Sequence, residues 1–177
     1  MEKLRNLQRK EYYIVLLVVA VAVIIGSAIA SSRSQLEVIY PEKETVLSPQ
    51  DFVIDTDLGT LYIGNSTWNE VKNIFPQGKI LGMSTIYRPE NLECLLTFSE
   101  DENILQKMHI DTKTISTSRG IRLEDPFARV IEAYGENCAY VRLQGETSNF
   151  DAVYGNDDNI VFQVRNGKVK RIILQKQ

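Results

Sequence analysis

The chain repeats itself, and this duplication limits the folds open to it more than any other feature. The segment LGTLYIGNSTWNEVKNIFP, opening at Leu58, is echoed by SRGIRLEDPFARVIEAYG, opening at Ser118. With a one-residue slip ahead of the helical part, Trp68 aligns with Phe127, Val71 with Val130, Ile74 with Ala133 and Phe75 with Tyr134. Further along, LTFSEDENILQKMHI aligns with VFQVRNGKVKRIIL, which sets Phe98 against Phe162, Leu105 against Val169, Lys107 against Arg171 and Met108 against Ile172. A unit of roughly fifty-five residues buries too small a core to be secure alone, so the two copies are expected to form one continuous structure.

Local chemistry assigns the elements of each copy. Thr67 with Glu70 has the form of a capping box, in which a hydroxyl and a carboxylate satisfy first-turn amides reciprocally. In the second copy Asp125 is the expected N-cap, Pro126 the first helical residue and Gly135 the left-handed stop. Period-two alternation then predicts strands over 84–88, 93–99 and 105–111, and again over 138–143, 150–154, 160–164 and 168–175. Asn166-Gly167 is a two-residue hairpin signal, since both positions must take positive φ, and 100–103 is a looser counterpart. Repeat 1 is placed at 58–112 and repeat 2 at 113–177, behind a polar linker over 31–57 that carries Pro41 and Pro49.

This pattern resembles the β-lactamase-inhibitor-protein-like fold, and the small lipoprotein of the outer-membrane barrel-assembly machinery, which has a single such unit. The matching residues are Ile63, Gly64, Ser66, Val71, Phe75 and Pro76, then Leu123, Asp125, Val130, Tyr134 and Gly135. The chain departs from the pattern at Glu124, where glycine is usual. The resemblance implies a binding module and not an enzyme, working through the sheet face that the helices leave uncovered.

Residues 12–30 form an apolar run without a charge, preceded by Lys3, Arg5, Arg9 and Lys10. As a helix it would extend roughly 28 Å, close to the ~30 Å apolar thickness of a bilayer. The expectation is a single-pass anchor with a basic cytoplasmic tail at 1–11 and an extracytoplasmic C-terminal domain, since basic residues stay on the cytoplasmic side. The alternative is secretion after cleavage near Ala30, where Ala28-Ile29-Ala30 has the small-x-small form. The expected class is therefore α+β: an N-terminal transmembrane helix, then two tandem repeats, each a short helix packed on an antiparallel β-sheet.

Chemistry for catalysis is sparse. His109 is the single histidine, and there is no CxxC pair, phosphate-binding glycine loop or nucleophile elbow. Acidic stretches at 55–57, 100–102 and 156–159 lack the ordered spacing of a calcium loop. Beyond the first thirty residues the net charge is about −5 with no basic cluster, which argues against nucleic acid. Cys94 and Cys138 are expected to be two unpaired thiols. No catalytic residue, metal ligand or cofactor is assigned. Tyr87, Lys107, His109, Tyr140, Arg142 and Arg171 take the strand parity opposite to the apolar residues, so they are the expected partner-binding residues on the open sheet face. The partner is expected to be a protein or cell-envelope component; the alternative is a ligand-sensing or regulatory ectodomain of the envelope.

Overall fold

Alternating segments become strands where one of their faces can be buried, and here nearly all of them join one sheet. The computed structural model describes residues 35–82, 85–101 and 103–177. In chain order these contain β1 (Leu36–Ile39), a 3-10 turn (Pro49–Phe52), β2 (Val53–Thr56), β3 (Gly59–Tyr62), α1 (Trp68–Ile74), β4 (Gly78–Leu81), β5 (Ile86–Pro89), β6 (Cys94–Phe98) and β7 (Leu105–Ile110). The second half adds α2 (Phe127–Tyr134), β8 (Ala139–Leu143), β9 (Asn149–Gly155), β10 (Asn159–Arg165) and β11 (Lys168–Gln175). Nine strands form an antiparallel sheet in the order β1-β8-β9-β10-β11-β7-β6-β5-β4, while β2 and β3 make a separate hairpin.

The halves meet through their last strands. Ile172 lies opposite Ile110, Ile173 opposite His109 and Leu174 opposite Met108. Because β7 and β11 are equivalent and antiparallel, an approximate two-fold axis passes between His109 and Ile173, perpendicular to the sheet. The same hydrogen bonds recur on both sides of it. The Gly64 amide donates to the Leu105 carbonyl at 2.6 Å and the Glu124 amide to that of Val169 at 2.7 Å; Trp68 donates to Asn103 and Phe127 to Gly167. Each terminal hairpin also carries a register shift at matching places, next to Thr97 and next to Gln163.

One sheet face is buried by both helices, the β2-β3 hairpin and the segment carrying Ile115 and Ile121. Leu96, Met108, Ile110, Ile160, Phe162, Ile172 and Leu174 from the sheet share a single core with Val71, Val130, Ile54 and Leu61. The capping box forms as expected, with the Glu70 amide donating to Thr67 Oγ1 and the Thr67 amide to the Glu70 carboxylate. Trp68 packs edge-on against Tyr87 and Phe98, and its counterpart Phe127 against Phe150 and Tyr140. Tyrosine hydroxyls tie each helix end to the sheet: Tyr87 donates to the Phe75 carbonyl and Tyr154 to that of Gly135.

Several expectations are corrected. The fold is predominantly antiparallel β rather than α+β, because the two meanders fuse into one sheet and α1 and α2 have only seven and eight residues. Helices of about 10–12 Å cannot cross an apolar layer of ~30 Å, and no helix among the described residues is long and apolar enough to span a membrane. The single-pass transmembrane assignment finds no support there; its residues, 12–30, lie outside those described. The supposed linker contains β1, which caps the edge of β8 through Val38 opposite Val141, and β2, which pairs with β3. Phe98 is the ladder equivalent of Val164 and not of Phe162, since Phe98 faces Leu105 as Val164 faces Val169. Between these equivalent pairs the first repeat has six residues, 99–104, where the second has four, 165–168, which displaces the alignment by two without changing its parity. Pro126, not Asp125, is the N-cap of α2. Both cysteines are buried and unpaired; five strand spacings, about 24 Å, separate their places in the sheet.

Asp51 joins three distant segments. Its carboxylate is buried, and it receives Arg119 Nε at 2.6 Å and Nη2 at 2.7 Å together with the Ser48 amide and hydroxyl. Arg119 also donates to the Ala133 carbonyl near the end of α2 and lies over the Tyr134 ring at 4.5 Å. Burial alone would push the Asp51 carboxyl upward, but hydrogen bonds from Arg119 and Ser48 and the adjacent positive charge outweigh it and hold it below its ordinary 3.8. Its contribution to stability is therefore complete above about pH 4 and is lost as pH falls through the lowered folded value. Asp51→Asn is expected to cost about 2–4 kcal/mol at neutral pH, at the lower end for breaking buried pairs because Arg119 keeps some solvent contact. Denaturant melts of both proteins check this, and the gap should narrow steadily below pH 4.

Glu124 stands at φ +72°, where its counterpart Gly64 stands at φ +90°. Its carboxylate meets Lys170 Nζ at 2.7 Å in an exposed pair of little worth. Glu124→Gly relieves the left-handed strain and is expected to raise Tm by roughly a few degrees, read by calorimetry.

Candidate functional site

The sheet face opposite the helices is open among the described residues, and the strand registers fix which side chains meet on it. Cross-strand partners share a face. Ala139 pairs with Val153, Val153 with Val161, Val161 with Ile173, Ile173 with His109, and His109 with Leu95. These six residues make a transverse row across six strands, all half-buried only by their neighbours. The two-fold axis crosses the row at its centre, between His109 and Ile173.

Polar rows flank it on both sides. On one side Asp151, Gln163 and Arg171 follow each other across β9, β10 and β11. Gln163 donates to Asp151, which also pairs with Arg165 at 2.9 Å, and Arg171 is held by Asp111 through Nε at 2.5 Å and Nη2 at 3.2 Å. On the other side Asn159, Gln175, Lys107 and Thr97 run across β10, β11, β7 and β6. A desolvatable apolar centre inside a polar rim is the anatomy of a protein-binding surface. At the β1 end the apolar character widens: Leu36 faces Leu143 and Val38 faces Val141, with Leu36 68% exposed.

Of the six expected contact residues, Lys107, His109 and Arg171 lie on this face. Tyr87 does not: it is 1% exposed beneath α1, held by Phe75 and approached by Lys72 Nζ at 3.1 Å. Tyr140 and Arg142 turn to the helix side of β8, where Tyr140 packs on Phe127 and Phe150 and Arg142 pairs with Glu37 at 3.0 Å. Reading Ala139, Val141 and Leu143 as core residues inverted the strand, because a shift of one residue exchanges its faces. The buried Cys138 is on the correct parity. The residues that sequence reasoning missed are Leu95, Val153, Val161 and Ile173. Their signal was a break in alternation, with an apolar residue between two core positions in Cys94-Leu95-Leu96, Ala152-Val153-Tyr154, Ile160-Val161-Phe162 and Ile172-Ile173-Leu174.

The chemical options are narrow. Among the described residues no group of three or more His, Cys, Asp or Glu is placed to hold a metal ion. Burial, with Asp111 nearby, pushes the Cys94 thiol up to about 12, so it is no nucleophile at neutral pH. A surface depression of about 740 Å³ is lined by Thr67, Trp68, Asn69, Thr85, Phe98, Ser99, Glu100 and Asn103; it presents a single carboxylate and no partner for acid-base work. No protein-family model matches the chain, nor does any curated protein or solved structure.

His109 is held below its ordinary 6.5 by partial burial first and then by the positive charges of Arg171 and Lys107, with Asp111 opposing. The neutral ring is thus the form the fold favours. The unfolded chain binds more protons in the window below pH 6.5, so His109 works against stability as pH falls through that window. Its imidazole resonances should titrate below 6.5 by NMR, and Arg171→Gln should move the midpoint up.

Proposed function

We propose that this chain is a non-catalytic binding module that grips a protein partner through the open face of its nine-stranded sheet. The observation that carries the reading is the apolar row from Val153 to Leu95, aligned across five strands and bordered by Asp151, Gln163 and Arg171 on one side and Gln175, Lys107 and Thr97 on the other. Solvated sheet faces are ordinarily polar, and antiparallel sheets with one wet face alternate cleanly. On β6, β9, β10 and β11 the three-residue apolar runs depart from that rule at one row only, which concentrates the departure on these strands in a patch. Two further points support the reading. The helix-and-meander repeats resemble the β-lactamase-inhibitor-protein-like fold, whose uncovered sheet face is the working surface. Arg171 is fixed by Asp111, so a rim cation is already ordered before a partner arrives. The charge-free run at 12–30 supports a place of action outside the cytoplasm.

A photo-crosslinking residue at Leu95 or Val161, compared with one at Arg129 on the exposed side of α2, tests the face directly in native cells. Adducts should form from the sheet positions and not from Arg129. Val161→Glu, in the middle of the row, should suppress capture from position 95 while changing Tm by no more than a few degrees, because the side chain leaves the helix-covered core untouched. Adducts from Arg129 alone, or capture indifferent to Val161→Glu, would sink the proposal.

A further inference from the structure

The sheet ends on β1 and β4, and the two-fold axis that relates the repeats exchanges the outer edge of β8 with that of β4. The equivalence is set by register: Tyr140 of β8 lies opposite Ala152, as Ile80 of β4 lies opposite Tyr87. On β8 this edge is occupied, since β1 runs antiparallel along it from Leu36 opposite Leu143 to Ile39 opposite Tyr140. On β4 no strand of the described residues takes the corresponding place. The molecule thus displays, at one edge, how an extended segment sits on the other.

The backbone of β4 is arranged to receive such a segment. The Glu90 amide donates to the Gln77 carbonyl at 3.0 Å, just beyond the paired positions Gly78 and Pro89. Hydrogen-bonded pairs alternate along an antiparallel ladder, so Lys79 and Leu81 bond inward to β5 while Gly78 and Ile80 direct their amides and carbonyls outward. Pro89, which has no amide hydrogen, falls at a position where β5 needs none. Gly78 cannot be replaced freely, because a Cβ there would meet the Tyr87 hydroxyl and the Arg88 carbonyl.

Side chains on this edge select the occupant. Lys79 lies opposite Arg88 on the open face, both exposed, and neither is within salt-bridge distance of a carboxylate among the described residues. Ile80, on the other side of the strand, is 56% exposed at the margin of the core. A second copy is disfavoured. The register that uses the outward groups of both β4 strands sets Gly78 against Ile80 and brings the two Lys79 side chains face to face, an opposition of like charges. We propose that the outer edge of β4 accepts, by strand addition, an extended segment of a partner protein carrying a carboxylate opposite Lys79 and an apolar side chain opposite Ile80. Main-chain bonds to Gly78 and Ile80 supply the affinity, and the two side-chain positions supply the choice. β1 is the built-in precedent for the pairing, with its apolar Ile39 opposite Tyr140, the counterpart of Ile80.

The test titrates isotope-labelled full-length protein with a short capped peptide of alternating valine and glutamate, and in parallel with the same peptide carrying lysine for glutamate. The glutamate peptide should shift the Gly78 and Ile80 amides and slow their hydrogen exchange, and it should bind at least about tenfold more tightly than the lysine peptide. Lys79→Glu should invert that preference. Ile80→Pro removes an outward donor without taking a bond from β5, and should abolish the response while leaving the other amide signals in place. Equal binding of the two peptides, no response to the glutamate peptide, or shifts confined to β1 or the open face would each overturn the proposal. So would protection of the same amides on raising protein concentration alone, which would identify a second copy as the occupant.

Discussion

The antiparallel pairing of β7 with β11 is the constraint on which the rest of the structure depends. Each repeat ends in a strand whose outer edge would otherwise present unpaired amides and carbonyls, and each satisfies that edge with the other's equivalent strand. The pairing turns two marginal units into one core, in which Met108 and Leu174 lie side by side with Ile110 and Ile172. It also fixes the two-fold axis and places His109 against Ile173 at the centre of the open face. Asp51 and Arg119 then secure the arrangement from the far side, tying the chain ahead of repeat 1 to the start of repeat 2 and to the end of α2.

Much of this was legible in the residues. The start of α1 follows from Thr67 with Glu70, the tight turn follows from Asn166-Gly167 at φ +52° and +71°, and the strands of the central meanders fall where alternation places them. These signals are local, and each needs only a few neighbouring residues to express its chemistry. Even the departure at Glu124 was informative: it marked a position where the backbone holds positive φ in both repeats, with a side chain where glycine would be unstrained.

What escaped was set by non-local partners. Val38 and Ile39 are 40% exposed, so β1 carries no pattern of burial, and its pairing partner lies more than a hundred residues away. On β8 the residues Ala139, Val141 and Leu143 are the more apolar set, yet Tyr140 belongs to the covered face because Phe127 and Phe150 offer it aromatic edges there. Tyr87 is buried for a similar reason, as its hydroxyl satisfies the Phe75 carbonyl at the end of α1. An amphipathic ring can serve either face, and the deciding contact comes from a helix that parity alone does not see. The alignment of Phe98 with Phe162 fell two residues short because turn length, unlike strand register, is free to vary between copies.

The symmetry of the duplication explains why a face is left bare at all. An axis perpendicular to the sheet carries each element to the same side of it, so whatever the first repeat covers with α1 the second covers again with α2. No arrangement of two such copies joined by their last strands can cover both faces with these helices. The open face is therefore a consequence of the topology, but its composition is not. Topology would be equally satisfied by threonine and lysine at positions 95, 153, 161 and 173. Instead these sites hold Leu, Val, Val and Ile in one row, between Arg171 pinned by Asp111 and Lys107 beside Gln175. Half-buried aliphatic side chains gain about 25 cal/mol for each Å² removed from water, and among the described residues nothing removes it. A partner docking on this row would realise that gain, which is why binding is proposed for the face the repeats cannot cover for themselves.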